Sequence, residues 1–183
     1  MKYRSFIRPA ALATTFILTC AVAAHAALKN VEEGHSSFLA VGPAGLKIDG
    51  NGGGVTVSEE GGVIMVRAPV NHLKTGMDLR DDHLKKAIHA DKHPAATLSV
   101  ARSALTFPED TKDVTGEATG KFTLNGVTKD LKFQYKVKRT GSDYHVQGLI
   151  DVDITDFGIE KPCYLGVCVE KDVKAKVKVK LRE

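Results

Sequence analysis

Apolar and polar residues alternate along most of the chain after residue 60, which is typical of β-strands with one buried face. The clearest case is Leu131, Phe133 and Tyr135, which are separated by polar residues. Similar alternation occupies residues 64–70, 96–100, 118–124, 144–152 and 173–181. Short polar turns such as Asn125-Gly126 separate these runs, and turns of this kind predict antiparallel pairing.

The first part of the chain has a weaker strand pattern. Residues 36–41, 46–49 and 55–58 have the composition of short strands, and the glycine-rich run at 50–54 interrupts them. Together with the later runs, they predict eight or nine strands in all, which can close as a barrel or pack as a sandwich. The chain has no internal repeat or linker, so the predicted fold class is one all-β, antiparallel domain.

One segment, residues 78–88, has a helical pattern and follows the early strands. Asp78 is suited to cap this helix, and acidic residues precede basic ones, an order that favours the helix dipole. Asp81 and Lys85 lie four residues apart, and this spacing predicts an ion pair on the helix surface. A narrow apolar stripe that can pack on the sheet consists of Leu84, Ala87 and Ile88.

The N-terminal segment has the features of a secretory signal peptide. Lys2, Arg4 and Arg8 precede a charge-free stretch at 9–24, which is too short for a typical membrane span. Small residues surround a cleavage site after Ala26, so the expected division is a signal peptide of residues 1–26 and a mature domain of residues 27–183. The alternative is a lipid anchor on Cys20, for which the preceding threonine is a poor fit.

The net charge of +4 depends largely on this segment. Removal of three basic residues from a total of 26 leaves 23 Lys and Arg against 22 Asp and Glu. A mature chain this close to neutral gives little support to a nucleic-acid partner. The alternating lysines at 174–180 are interpreted as the solvent face of a strand, where lysine discourages edge-to-edge aggregation. Binding of anionic lipid head groups is the alternative.

Two cysteines, Cys163 and Cys168, remain in the mature chain. An even pair in an exported protein favours a disulfide. The alternatives are a free thiol pair and a redox site. Redox enzymes more commonly use Cys-x-x-Cys at the start of a helix, and the sequence has no such motif.

Three stretches together resemble the YceI-like family of exported bacterial proteins. The first runs from Leu73-Lys74-Thr75-Gly76 through Arg80-Asp81-Asp82-His83-Leu84 to Lys92-His93-Pro94, the second is Leu124-Asn125-Gly126-Val127-Thr128-Lys129 with the strand before it, and the third is Asp156-Phe157-Gly158-Ile159. The resemblance covers most of residues 34–183. It implies a periplasmic, lipocalin-like antiparallel β-barrel with a long hydrophobic cavity. It also implies binding of a polyisoprenoid, such as an isoprenoid quinone or a polyprenyl phosphate.

The resemblance changes the interpretation of the inward-facing residues from a packed core to a cavity wall. Small residues at these positions leave room for a ligand, and they are Ala68, Ala96, Ala118, Gly120, Gly148 and Ala175. The candidate lining residues are Phe38, Val66, Leu98, Phe122, Phe133, Tyr135, Ile150 and Phe157. Arg80 and His83 are candidates for holding the helix at the barrel mouth and for contacting a ligand head group.

The remaining predictions concern chemistry. The sequence has no nucleophile elbow, zinc-protease motif or phosphate-binding loop, so an enzyme is not expected, and neither is a cofactor other than the bound lipid. His89 and His93 have the spacing of two metal ligands on a helix, but Pro94 disfavours helix there, and no metal site is expected. The main alternative function is a secreted stress or interaction module whose own side chains fill the barrel. The sequence leaves open transient membrane contact and a homodimer.

Overall fold

The computed structural model describes residues 26–109, 111–164 and 167–183, and its strands form a closed antiparallel barrel. The eight barrel strands are β2–β8 and β11, each paired with its neighbour, and β11 pairs with both β8 and β2 to close the sheet. The predicted all-β barrel with one short helix is therefore confirmed. The strands are β1 (Lys29–Asn30), β2 (Gly34–Val41), β3 (Lys47–Glu60), β4 (Val63–Pro69), β5 (Ala95–Ala101), β6 (Asp113–Leu124), β7 (Val127–Thr140), β8 (Asp143–Asp153), β9 (Cys163–Tyr164), β10 (Val167–Cys168) and β11 (Asp172–Arg182), and the helix is α1 (Asp78–Ala87).

The two ends of the barrel are built differently. The helix end carries α1, the tight β6–β7 turn and the segment between β8 and β11, which includes the small β9–β10 hairpin. The opposite end carries the β3–β4 and β7–β8 turns and the short strand β1, which adds to the end of β11. Three short 3-10 turns lie at Pro43–Gly45, Arg102–Ala104 and Ile154–Phe157.

Strand β3 differs from the prediction. It runs without a break through the glycines at 50–54 and is 14 residues long, where two short strands were expected. A side chain at Gly50 would collide with the Phe38 ring on β2, so the missing side chain makes room for that ring. The glycines therefore permit close packing inside one long strand and do not interrupt it.

Helix α1 forms as predicted, but its capping differs from the expectation. The N-cap position is Met77, and no side chain caps the first turn. Asp81, 2% exposed, turns back toward the preceding segment, where its Oδ1 accepts hydrogen bonds from Thr75 N (2.7 Å) and Thr75 Oγ1 (2.6 Å). Its Oδ2 lies 3.3 Å from Lys74 Nζ. The predicted Asp81–Lys85 ion pair is therefore wrong. The carboxylate of Asp81 is buried against Thr75 and Lys74 instead, and only the tertiary fold brings these residues to it.

This network attaches the helix to the barrel wall. The backbones of Lys74 and Asn51 exchange two hydrogen bonds of 2.9 Å each, which fixes the segment before α1 to strand β3. The helix then lies at the end of the barrel, and Leu84 and Ile88 pack against the barrel core. The predicted apolar stripe thus closes part of the helix end.

Candidate functional site: an apolar cavity inside the barrel

A cavity of about 250 Å³ lies inside the barrel, and every barrel strand contributes to its wall. Aliphatic and aromatic side chains form nearly all of its lining. The polar residues that reach the lining are Ser36, Ser37, Thr97, Tyr135 and Lys176. Apolar surface of this kind favours a hydrophobic guest, at about 25 cal/mol for each Å² that is removed from water.

Seven of the eight residues predicted to line the cavity lie on its wall. They are Phe38, Val66, Leu98, Phe122, Phe133, Tyr135 and Ile150. The hydroxyl oxygen of Tyr135 accepts a hydrogen bond from Thr106 N at 3.0 Å, so the protein itself holds this polar group in place.

The eighth residue, Phe157, lies behind the wall. Its side chain is 0% exposed, and it does not line the cavity. The ring packs edge-on against Phe122, with 5.5 Å between the ring centroids. Asn125 Nδ2 donates to the carbonyl of Phe157 at 3.0 Å, which joins this segment to the β6–β7 turn. Phe157 therefore packs against a lining residue but does not line the cavity itself.

The two inward glycines that the sequence grouped together have opposite roles. A Cβ on Gly120 would lie 2.8 Å from both Leu98 Cδ1 and Ser99 O, so its absence lets β5 and β6 approach closely. A Cβ on Gly148 would meet no atom within 4 Å. Gly148 lies on the lining between Tyr135 and Val177 of the neighbouring strands. The open space of the cavity therefore extends to the backbone of β8.

The end opposite the helix is closed by an ion-pair cluster. Arg102 Nη1 lies 2.9 Å from Glu59 Oε2, and its Nη2 contacts the carboxylate of Glu183. The guanidinium also lies 4.6 Å from the ring centroid of Phe107, a lining residue. Leu28, which is 0% exposed, donates its backbone N–H to Glu59 at 3.0 Å.

The helix end is covered by side chains from several segments. Leu84 of α1 and Ile88, which follows the helix, lie on the lining, as do Pro162 and Val169, which flank the β9–β10 hairpin. Cys163 and Cys168 form a disulfide across this hairpin, with a sulfur–sulfur distance of 2.00 Å. The segment that follows the hairpin contacts the barrel, since Glu170 N donates to Val41 O at 2.7 Å. The disulfide thus restrains a loop that forms part of the cavity wall.

Arg80 and His83, the predicted head-group residues, lie outside the lining. Arg80 donates from Nε to Thr75 Oγ1 (2.9 Å) and from Nη2 to Thr75 O (2.8 Å), so its guanidinium stabilises the start of the helix. His83 is exposed on the same helix. The structure does not bring these two side chains to the cavity, and a contact with a ligand head group stays a prediction.

The histidines considered as metal ligands have other neighbours. His89 Nδ1 and Asn125 Oδ1 share a hydrogen bond at 3.0 Å, and His93 lies against the backbone of Gly126. Within residues 26–109, 111–164 and 167–183, no group of three or more His, Cys, Asp or Glu side chains is arranged to hold a metal. In the same parts of the chain, no helix has the length and apolar character needed to cross a bilayer.

The carboxylate of Asp153 stabilises the segment that follows β8. Lys171 Nζ lies 2.5 Å from its Oδ2, and Thr155 donates from Oγ1 (2.5 Å) and N (3.0 Å) to Oδ1. These donors, Lys171 first, lower the pKa of Asp153 from 3.8 to about 2. Because the folded pKa lies below the unfolded one, this carboxylate stabilises the fold above about pH 4, and that contribution is lost as pH falls toward 2.

We therefore expect Asp153→Asn to be less stable than the wild type at pH 6, with a difference that shrinks between pH 4 and pH 2. Urea unfolding midpoints at several pH values measure this. Asp130→Asn is the control, because Asp130 lies in an exposed pair 3.4 Å from Lys121, and such pairs contribute little. If the difference in urea midpoint between Asp153→Asn and the wild type stays constant across this pH range, the ionised carboxylate of Asp153 does not stabilise the fold as described.

Several cavity-lining residues were not predicted, because the sequence pattern around them is weak. Leu105, Phe107, Pro162 and Val169 line the cavity, but they lie in connecting segments that have no period-two pattern. Only Phe107 gives a hint, as a large aromatic residue in a polar connection. The strand pattern finds wall residues on strands and does not find those that connecting segments bring to the barrel ends.

The geometry defines a class of protein, a lipocalin-like antiparallel barrel that encloses an apolar cavity. A family model described as the YceI-like domain matches residues 29–181. The chain therefore belongs to the YceI-like family, as the motifs in the sequence predict. No curated protein matches the sequence.

Solved structures share the fold at low sequence identity. A polyisoprenoid binding domain from Saccharophagus degradans has a TM-score of 0.69 and 14% identity, covering 86% of this chain and 99% of that one. BcnA from Burkholderia cenocepacia has a TM-score of 0.60 and 16% identity, with 79% and 95% covered. The YceI protein of Campylobacter jejuni has a TM-score of 0.52 and 17% identity, with 70% and 80% covered. At these identities, the likeness establishes a shared fold.

Proposed function

We propose that this protein is an exported lipid-binding protein that holds a long isoprenoid chain, an isoprenoid quinone or a polyprenyl phosphate, in its barrel cavity. The observation that carries the proposal is the continuous apolar wall, which reaches from Leu84 on the helix to Leu181 near the other end. A long prenyl chain gains about 0.8 kcal/mol for each buried methylene-sized group, so it needs few polar contacts. The relative from Saccharophagus degradans is named as a polyisoprenoid binding domain, which supports the same ligand class.

The proposed location is the periplasm, after cleavage of the signal peptide behind Ala26. The predicted signal peptide itself, apart from Ala26, lies outside the described residues. The Cys163–Cys168 disulfide supports export, because disulfides persist in oxidising compartments. In this location, the protein acts as a carrier or store and not as an enzyme, and it exchanges its lipid during transient contact with a membrane.

The site residues follow from the cavity. We infer that Phe38, Leu98, Phe133 and Ile150 contact the isoprenoid chain from different strands, because all four lie on the wall. The space beside Gly148 gives the chain room without any movement of the backbone. That space also argues against a barrel filled by its own side chains, since a self-filled interior has few voids larger than a water molecule.

The direct test is native purification from the periplasm followed by solvent extraction and mass spectrometry. We expect a stoichiometric isoprenoid lipid in the extract, and we expect delipidated protein to take up added quinone. Protein that reproducibly contains no lipid and takes up no quinone would support the alternative of an interaction module. The control is protein unfolded in urea before lipid addition, which should take up none.

A further inference from the structure

The outer surface of β7, β8 and β11 carries a concentration of lysines that the strand register brings together. We define the lysine face as Lys136 and Lys138 on β7 with Lys176, Lys178 and Lys180 on β11. Strand β8 lies between them. Lys178 and Lys136 are both register partners of Gln147, and Lys180 and Lys138 are both partners of His145. Two strand spacings of about 4.8 Å place the lysines of each row roughly 10 Å apart.

Elsewhere on the barrel, two outward lysines lie directly opposite acidic residues. Lys121 is the register partner of Asp130, at 3.4 Å, and Lys174 is the partner of Asp151, at 2.9 Å. Opposite charges across strands stabilise a sheet, and like charges on adjacent positions destabilise it. Within the lysine face, only Lys138 has an acidic register partner, Asp113, so sheet stability does not explain the other four lysines.

Acidic residues occur only at the border of the lysine face. Asp113 lies 2.5 Å from Lys136, and Asp143 lies 3.3 Å from Lys180. Among the described residues, Lys176 and Lys178 form no ion pair, whereas Lys138 lies opposite Asp113, so the uncompensated positive charge is at Lys176 and Lys178. A phosphate group near these two lysines would therefore meet uncompensated cations.

Protection of a sheet edge, the first interpretation of these lysines, does not apply to the folded barrel. Strand β11 pairs with β8 along its whole length and with β2 on the other side, so it has no open edge. A lysine row on an edge strand would discourage aggregation. On a strand with two paired neighbours, the same row needs another explanation.

We propose that the lysine face docks the protein on a membrane surface rich in anionic phospholipid. This inference rests on the proposed lipid-carrier function, which requires contact with a bilayer. The cavity lies directly behind the face, because Val177 and Val179, which alternate with the lysines of β11, are on its lining. Between the rows of the face, all of which the structure describes, no Arg, Phe, Tyr or Trp side chain lies on the outward phase to stack on a base, and the one ring there is the imidazole of His145. Lipid phosphates therefore fit the face better than a nucleic acid does.

The experiment is flotation of the mature protein with vesicles. We expect the protein to float with vesicles of phosphatidylglycerol and phosphatidylcholine, to remain unbound with phosphatidylcholine alone, and to dissociate as salt is raised. Each lysine near an anionic surface contributes roughly fivefold to partitioning, so Lys138→Gln/Lys178→Gln should weaken binding roughly 25-fold. The control, Lys86→Gln/Lys92→Gln, changes the net charge equally at exposed positions of the helix end and should bind as the wild type does.

Three results would overturn the docking proposal. The first is binding to neutral vesicles that equals binding to anionic ones. The second is a loss of vesicle binding in the control variant as large as that in the lysine-face variant. The third is binding of a single-stranded oligonucleotide at least as tight as binding of anionic vesicles. The last result would assign the face to nucleic acid. Lipid extraction from the same preparations separates this proposal from the carrier function. Protein that floats with anionic vesicles but contains no isoprenoid lipid would contradict only the carrier function. Protein that contains the lipid but does not float with anionic vesicles would contradict only the docking proposal.

Discussion

Gly148→Leu is expected to abolish most of the lipid-binding capacity while the protein stays folded. The position faces the cavity, and a Cβ there would meet no atom within 4 Å, so the added side chain starts in open space on the cavity side. If its four carbons displace about four ligand methylenes at about 0.8 kcal/mol each, affinity falls by about 3 kcal/mol, or roughly a hundredfold. The measurement is uptake of quinone by delipidated protein, together with thermal unfolding.

The matched control for this substitution is Gln147→Leu. It introduces the same side chain one residue earlier, on the outer face of the same strand, so it adds apolar volume without entering the cavity. We expect quinone uptake to be unchanged in this variant. Because glycine is entropically unfavourable within a strand, Gly148→Leu should unfold at the same temperature as the wild type or slightly above it. Full lipid capacity in Gly148→Leu would contradict the proposed location of the ligand.

Phe157→Ala is expected to destabilise the barrel strongly and to leave lipid binding by the folded protein largely intact. Its ring is fully buried outside the cavity and packs on Phe122, so truncation leaves a void in a closed core. Removal of a buried phenylalanine costs about 3–5 kcal/mol. For a domain of this size, that loss corresponds to a fall in Tm of roughly 10 °C. Thermal and urea unfolding measure it.

The comparison for this variant is Phe38→Ala. Phe38 is half-buried and lies on the cavity wall, so its truncation should reduce quinone affinity more and stability less than Phe157→Ala does. Phe157→Leu, which keeps most of the buried volume, should recover much of the lost stability. If Phe157→Ala instead weakens quinone binding while Phe38→Ala leaves it unchanged, then Phe157 belongs to the binding site, as the sequence predicts.

The sequence predicts the strand residues of the cavity wall well, because an antiparallel barrel obeys a single local rule. Alternate residues of a strand point to opposite faces, so the apolar phase of β7 or β8 names the inward side chains without knowledge of the neighbouring strands. The rule places Phe133 and Ile150 on the wall, where the structure has them. It fails for Phe157, which lies in a 3-10 turn after β8, since no alternation applies there.

Charge pairing is less predictable, because it depends on register and on segments far apart in sequence. The spacing predicts that Asp81 pairs along its own helix, yet it accepts hydrogen bonds from Thr75 because the segment before the helix folds back. The lysines of β11 are visible in the sequence as the solvent face of a strand. Their nearness to Lys136 and Lys138 follows only from the alignment of β11 and β7 on either side of β8.

The amino-acid sequence alone determined the all-β fold, the helix, the family motifs, the disulfide pair and the inward phase of the strands, because each depends on residues close together in the chain. The tertiary structure alone decided which inward glycine permits close packing and which borders open space. Gly120 and Gly148 both lie on the inward phase of the alternation. Only the position of the neighbouring strands decides whether a Cβ at each glycine would meet another atom. Closure of the barrel also decided that β11 has no edge, because that property belongs to the pairing of distant strands.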